Sequence, residues 1–108
     1  MELLFLTRYR WGRRVRIWHH SGMILHARSI GNDVHIRHNT TFGVSSRTQN
    51  ECLPVIEDGV DIGCNTAILG NVVVGKNSII GAGSIVVHDI PPNTVVAGSP
   101  ARPIHAKS

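Results

Sequence analysis

The sequence predicts an all-β solenoid, in which the chain winds into a three-sided parallel β-helix. Three observations predict this fold. Large apolar residues recur every six positions, turn-forming residues follow many of them after three positions, and small residues follow after four. An amphipathic helix repeats near 3.6 residues and a half-buried strand near 2, so neither explains a period of six. Three repeats make one coil of eighteen residues, and the strands of stacked coils lie ~4.8 Å apart.

The large apolar residues form two runs with this spacing, and we expect them to fill the interior. They are Trp18, Ile24, Ile30, Ile36 and Phe42, and then Ile56, Ile62, Ile68, Val74, Ile80 and Val86. Smaller residues are predicted to share the interior with them. These are Val34, Thr40, Val60, Thr66, Val72, Ser78 and Ser84.

The corners of the prism are predicted at residue types that tolerate a positive φ. They are Asp33, Asn39, Gly59, Asn65, Asn71, Asn77 and Gly83. Glycine often follows the large apolar residue directly, where we expect neighbouring coils to approach closely. These glycines are Gly31, Gly43, Gly63, Gly75 and Gly81.

The predicted organisation has three parts. Residues 1–17 form a basic segment outside the repeat, expected as a short helix or irregular coil that covers the open end. Residues 18–91 form the β-helix of about three to four coils, interrupted by a loop at 48–55 where the spacing breaks. Pro91 and Pro92 then prevent further regular pairing, and residues 92–108 are expected to fold over the last coil.

The net charge of +4 is unevenly distributed. Five of the eleven basic residues are arginines between Arg8 and Arg16, whereas residues 17–108 carry six basic and six acidic residues. Such a cluster could bind nucleic acid or an anionic membrane, but a solvated or subunit-facing segment is the simpler interpretation, so neither partner is expected. The apolar stretch Leu3 to Leu6 is too short for a signal peptide or membrane span, which favours a cytoplasmic protein.

Cysteine and histidine are the residue types with candidate chemistry. Cys52 and Cys64 lie twelve residues apart without a CxxC pair, so we expect free thiols and no zinc cluster. Imidazole suits a general base near neutral pH. His20 and His38 are eighteen residues apart and are expected to stack on one corner. An ordinary exposed side chain is the expectation for His26, His35, His88 and His105.

The runs IGCNTA, ILGNVV, VGKNSI and IGAGSI, with GNVVVGKNSIIGAGSIV and AGSPARPI, carry a family resemblance. Over about residues 17–105 the chain resembles the hexapeptide-repeat acyltransferases, and among them the catalytic domain of serine acetyltransferases. The resemblance implies a left-handed β-helix, because the repeat alone does not fix handedness. It further implies an acetyl-CoA-dependent O-acetyltransferase, without a metal, that acetylates serine or another small alcohol. The family forms homotrimers with active sites between subunits.

The same resemblance assigns site residues. His20 takes the place of the histidine that deprotonates the acceptor hydroxyl, and His19, His38 and Glu51 are possible supporting residues. Backbone at Val44, Cys64 and Ala82, next to Gly81, is expected to line the coenzyme A groove, although the family usually has glycine and alanine at the first two positions. Candidate partners of the nucleotide phosphates are Lys76 and Arg102, together with Lys107.

Departures from the family pattern leave other functions open. His19 stands where serine acetyltransferases have aspartate, and Cys52 and Leu53 replace the arginine and histidine that bind the amino acid. A sugar O-acetyltransferase is therefore one alternative, and a non-catalytic assembly or binding module is another. A zinc hydratase of the β-helix type is disfavoured, since the expected five-residue histidine spacing is absent from the sequence.

Overall fold

The computed structural model describes residues 3–6, 10–17, 23–25, 27–43 and 53–106, with side chains described for 12–17, 27–43 and 53–104. All regular structure in these ranges is β-strand, so no helix able to span a membrane occurs there. Strands β1 to β15 are Leu3–Leu6, Arg10–Trp11, Arg16–Ile17, Met23–Leu25, Ser29–Ile30, His35–Ile36, Thr41–Gly43, Val55–Ile56, Asp61–Ile62, Ala67–Leu69, Val73–Val74, Ile79–Ile80, Ile85–Val86, Thr94–Gly98 and Ala101–Ala106.

Successive strands are distributed in turn to three sheets, which form the sides of a prism. Sheet one has the order β1-β4-β7-β10-β13, sheet two β11-β8-β5-β2, and sheet three β15-β14-β12-β9-β6-β3. All pairs are parallel except β14 with β15. We call the edge from sheet one to sheet two the first edge, that from two to three the second edge, and that from three to one the third edge.

The described strands form five coils, more than the three to four predicted, because both the N-terminal segment and β14 take part in the solenoid. The expectation that Pro91 and Pro92 prevent further regular pairing is therefore wrong, since β14 pairs in parallel with β12. The expectation of a helix or irregular coil over residues 1–17 is wrong for its described part, which forms β1, β2 and β3. Gly12 N–H donates to Ile30 O at 2.6 Å, and Val15 and Ile17 pack against the core. This coil was not predicted because it is one position out of phase with the eighteen-residue repeat, as the pairing of Ile17 with Ile36 shows.

The pairing register departs from the eighteen-residue repeat at two further places. Leu25 pairs with Phe42, a separation one residue shorter than the repeat. Leu25 therefore occupies the paired position predicted for Ile24, and Ile17 occupies the one predicted for Trp18. Trp18 itself lies outside the described residues. Phe42 pairs with Ile68, which makes that coil longer than the repeat and places eight additional residues on the first edge. Val55, predicted as the end of the 48–55 loop, instead begins β8, and residues 48–52 lie outside the described ranges.

The predicted core is confirmed from Ile30 onward. Each large apolar position from Ile30 to Val86 is buried, and so is each small position from Val34 to Ser84. The series continues beyond the predicted repeat with Ile90 and Val96. Each coil therefore stacks its aliphatic side chains on those of the next, and full burial of one such side chain contributes about 1.5–3 kcal/mol.

Positive φ angles confirm six of the seven predicted corners, from Asp33 (59°) to Gly83 (76°). The prediction at Asn71 is wrong, because the positive φ there belongs to Gly70 (89°). Strand β10 has three residues and ends at Leu69, so the turn follows directly at the buried Gly70.

The predicted close approach of neighbouring coils is confirmed at Gly31, Gly63 and Gly75. A Cβ atom at Gly63 would lie 2.6 Å from the Ala82 nitrogen, which no side chain could tolerate without movement. At Gly81 the space is less tight, with 3.1 Å to the Ala97 Cβ. At Gly43 the prediction is wrong for the described residues, none of which has an atom within 4 Å of a Cβ placed there. Gly43 is on the edge where the eight additional residues break the stacking.

The end of the chain closes one sheet. Strand β14 continues sheet three in parallel beside β12, the chain reverses near Gly98 (φ 106°), and β15 returns antiparallel along β14. Ala101 packs against the core from this hairpin. Within the described residues, sheet three therefore ends at β15, and no sixth coil follows.

Candidate functional site

Three of the predicted site residues stack on the third edge. His38, Cys64 and Ala82 each lie two positions after a buried core residue, at the same corner of successive coils. Asn65 N–H donates to His38 O at 3.0 Å, and Gly83 N–H donates to Cys64 O at 2.9 Å. Because neighbouring strands are ~4.8 Å apart, these residues form a regular column.

Buried hydroxyl groups hold these corners from the inside. Thr40 Oγ1 donates to Arg37 O at 2.6 Å, Thr66 Oγ1 to Gly63 O at 2.8 Å, and Ser84 Oγ to Gly81 O at 2.6 Å. In the sequence these residues stand out only as small space fillers. The signal that could have revealed their role is that a buried hydroxyl needs an acceptor, and the corner carbonyl three residues earlier supplies one.

Main-chain donors distinguish the third edge from the second. On the second edge, the N–H groups at the positions that correspond to Cys64 and Ala82 donate to side chains of adjacent coils. Arg13 N–H donates to Asn32 Oδ1 and Asn32 N–H to Asp58 Oδ1, both at 2.7 Å, and Lys76 N–H donates to Glu57 Oε1 at 3.2 Å. On the third edge, the N–H groups of Cys64 and Ala82 have no acceptor among the described residues.

The surface around these two donors is open. Ala82 and Gly83 are exposed, Cys64 is half-buried, and a Cβ atom at Gly83 would meet no atom of the described part of the chain within 4 Å. Small side chains therefore leave a shallow strip along the column, with a main-chain donor in each of two successive coils. Such a strip suits an extended ligand whose carbonyl groups can accept hydrogen bonds.

Of the other described residues predicted to bind the cofactor, one lies on the third edge and two lie elsewhere. Gly81 is on the third edge next to Ala82, whereas Lys76 is exposed on the second edge beside Glu57. Arg102 lies in β15 and lines a groove of about 270 Å³ together with His88 and Asp89. Within a single chain, Lys76 and Arg102 are thus not gathered around the strip.

Five predicted residues, His19, His20, Val44, Glu51 and Lys107, lie outside the described residues. The flanking strands show only that residues 18–22 connect sheet three to sheet one, as the His38 corner does in the next coil. The partners Ile17 and Ile36, before this connection, are one residue further apart in sequence than the eighteen-residue repeat. The partners Leu25 and Phe42, after it, are one residue closer together. The eighteen-residue spacing of His20 and His38 therefore does not establish that they stack.

Two ion pairs link the first coils. Arg14 donates to Asp33 through Nε (2.5 Å) and Nη2 (3.0 Å), and Arg37 Nη1 donates to Asp61. The hydrogen bond from Arg14 lowers the pKa of Asp33 and raises the pKa of Arg14. The Asp33 carboxylate therefore stabilises the folded state above the ordinary aspartate pKa, and that contribution is lost as the pH falls through the lowered value.

Sequence comparison relates this chain to proteins of known activity, although no family model matches it. Serine acetyltransferase of Salmonella typhimurium is 40% identical over 92 residues, which are 84% of this chain and 34% of that protein. Serine acetyltransferase 3 of Arabidopsis thaliana, a mitochondrial protein, is 45% identical over 78 residues, 72% of this chain and 20% of the relative. The chain resembles serine acetyltransferases.

Solved structures of serine acetyltransferases share the fold. The enzyme of Neisseria gonorrhoeae superposes with a TM-score of 0.86 at 39% identity, covering 93% of this chain and 40% of the other. The Brucella abortus enzyme in complex with coenzyme A gives 0.85 at 36% identity with the same coverage. Soybean serine acetyltransferase complexed with serine gives 0.83 at 38% identity, covering 89% and 40%. The predicted left-handed β-helix and the resemblance to serine acetyltransferases are confirmed.

This chain corresponds to only part of those proteins. It spans about a third of the Salmonella relative and a fifth of the Arabidopsis one. Within the described residues, no three His, Cys, Asp or Glu side chains come together as metal ligands do.

Proposed function

We propose that this chain is an acetyl-CoA-dependent O-acetyltransferase that acts on the hydroxyl group of serine or another small alcohol. The observation that carries the proposal is the pair of N–H groups at Cys64 and Ala82, which lack an acceptor among the described residues and lie on the open third edge. The similarity to serine acetyltransferases, with coenzyme A bound to one and serine to another, supports it.

The third edge fits the pantetheine arm of coenzyme A. The arm is extended and carries amide carbonyls, which the Cys64 and Ala82 N–H groups would bind one coil apart. Gly83 leaves the space beside them open. Acetyl-CoA, when bound, supplies an acetyl group activated as a thioester. We assign Val44 and Gly81 to the lining of the arm, and Lys76 and Arg102 to its phosphates.

His20 is proposed as the general base. A neutral imidazole accepts the proton of the acceptor hydroxyl, so that the oxygen can form a bond to the thioester carbonyl carbon. The imidazolium then returns this proton to the sulfur, which leaves as the thiol when the carbon–sulfur bond breaks. His19, His38 and Glu51 are proposed to orient this imidazole. Because the base must be unprotonated, activity should fall on acidification, as the imidazole takes up a proton.

We also propose a homotrimer with the active sites between subunits. In a single chain, the third-edge strip and Lys76 lie on different edges of the prism. In a trimer, the second edge of one subunit, with its Lys76, can lie against the third edge of a neighbouring subunit. Ile85 and Val87 remain 37% and 38% exposed on the outer side of sheet one, which provides apolar surface for such a contact.

The decisive experiment measures release of the coenzyme A thiol from acetyl-CoA in the presence of L-serine. His20→Ala should lower kcat by about 10²- to 10⁴-fold, the usual contribution of a general base, while acetyl-CoA binding by calorimetry stays unchanged. His35→Ala, on the outer side of sheet three, is the matched control and should retain activity. If the wild-type chain neither binds acetyl-CoA nor releases thiol with any acceptor, the proposal is wrong.

A sugar or other alcohol is the second candidate acceptor. Leu53 stands where the resemblance places a histidine that binds the amino acid, and the structure leaves it only 2% exposed and outside the main core cluster. An apolar side chain there cannot pair with a carboxylate. Activity with sugars but not with L-serine in the same assay would select this acceptor class.

A further inference from the structure

The two ends of the solenoid differ. At the C-terminal end, the antiparallel strand β15 covers the edge of sheet three. At the N-terminal end, the sheets terminate in β1, β2 and β3, and no described strand pairs with their outer edges. Solenoid ends generally need a cover, because the last strands otherwise present unpaired N–H and C=O groups.

The described side chains at the N-terminal end of the solenoid are strongly basic. Described side chains of the first two coils, up to residue 43, include five arginines and one aspartate, a net charge of +4. Residues 53–104 include two basic and four acidic residues, a net charge of −2. Arg13, Arg14 and Arg16 are exposed in the first coil. Among the described residues, only Arg14 of these three has a carboxylate partner, Asp33.

These features together select one kind of partner. A nucleic acid or an anionic membrane would satisfy the arginines but not the row of main-chain donors and acceptors. A second copy docked through the same end would bring like charges together. An extended acidic polypeptide can satisfy both, since its backbone pairs with an edge strand and its carboxylates meet the guanidinium groups. We propose that the first coil binds such a segment by strand addition, with Arg13 and Arg16 contacting its carboxylates.

The first test measures fluorescence anisotropy of a labelled eight-residue peptide of alternating Glu and Val, at 0.15 M salt, where exposed charges interact over about 8 Å. The double variant Arg13→Glu, Arg16→Glu should bind at least tenfold more weakly than wild type. Arg102→Glu, a reversal of one exposed charge at the opposite end, should change binding less than twofold. Circular dichroism confirms that each variant is folded. Equal losses in both variants, or no binding to wild type, would overturn the proposal.

The second test separates strand addition from simple charge attraction. Two further peptides carry N-methyl groups on odd or on even residues, which removes the donors of one edge and keeps every carboxylate. One of the two should bind at least tenfold more weakly than the unmodified peptide. If both bind as tightly as the parent, or if duplex DNA or phosphatidylserine vesicles bind while the peptide does not, strand addition is excluded. None of these measurements involves acetyl transfer, so the outcome is independent of the proposed enzymatic function.

Discussion

At the scale of single residues, the length of a corner side chain decides whether a main-chain donor is available. Asn32 and Glu57 reach across to the adjacent coil and accept the N–H groups of the second edge. Cys64 and Ala82 are too short to do so, and the donors of the third edge stay open within the described part of the chain. The same backbone conformation thus gives a satisfied structural edge and a receptive one.

Ala82→Pro tests the receptive edge directly, because proline lacks the N–H donor. The corner tolerates proline, since Pro92 occupies the equivalent position before Asn93, whose φ is 58°. We expect the Kd for acetyl-CoA to rise about two- to tenfold, the effect of losing one hydrogen bond of ~0.5–1.5 kcal/mol. Calorimetry measures it, and Ala82→Ser, which keeps the N–H, should bind as wild type does. Unchanged binding by folded Ala82→Pro would contradict the assignment.

At the scale of the coil, close stacking depends on positions where neighbouring backbones leave no room for a side chain. Gly63 lies against Ala82, and Gly31 against Asp58, at distances that a Cβ atom would violate. Gly43 follows the same sequence pattern, but no described residue lies within 4 Å of a Cβ placed there. The repeat therefore contains glycines required by packing and at least one that packing does not require.

Alanine at these two kinds of glycine should have opposite effects. Gly63→Ala places a Cβ atom 2.6 Å from the Ala82 nitrogen and should lower the free energy of unfolding by about 1–3 kcal/mol, as overpacking does. Gly43→Ala meets no atom of the described residues within 4 Å and should be neutral or stabilise by up to about 1 kcal/mol, because it restricts the unfolded chain. Urea unfolding of both variants gives the comparison, and equal midpoints would refute this account of the stacking.

The sequence was sufficient for the fold because a six-residue period has one simple structural solution, and the buried series from Ile30 to Val86 follows it. It failed where small changes in coil length shift the phase, as at Ile17 and Leu25, or where a longer strand moves the turn to Gly70. The open donors of the third edge were not predictable either. They depend on which side chain of an adjacent coil reaches each amide, and periodicity does not contain that information.

At the scale of the whole molecule, the outer side of sheet one carries exposed apolar side chains that suit assembly. Ala67 and Ile85 lie in register on adjacent strands, and Val87 follows at the first edge. These side chains are partly or well exposed in the single chain. A short β-helix has a thin interior, so covering this side in a trimer would add buried apolar area.

Ile85→Glu should weaken or abolish the trimer, because a carboxylate would be buried against an apolar neighbour. Sedimentation velocity measures the assembly, and we expect a shift from trimer to monomer at micromolar concentration. Ile104→Glu, at the more exposed isoleucine of the C-terminal hairpin, is the control and should leave the trimer intact. A wild-type chain that sediments as a monomer would refute the proposed assembly.

The eight additional residues between Phe42 and Ile68 have a consequence for how this architecture diversifies. Pairing resumes on both sides of them, as between Ile30 and Ile56, so the coils tolerate added length at an edge without losing alignment. Such a scaffold separates the part that must be conserved for folding from the part that can vary. Under the proposed function, changes in one edge segment would alter the acceptor preference while the prism that supports it stays the same.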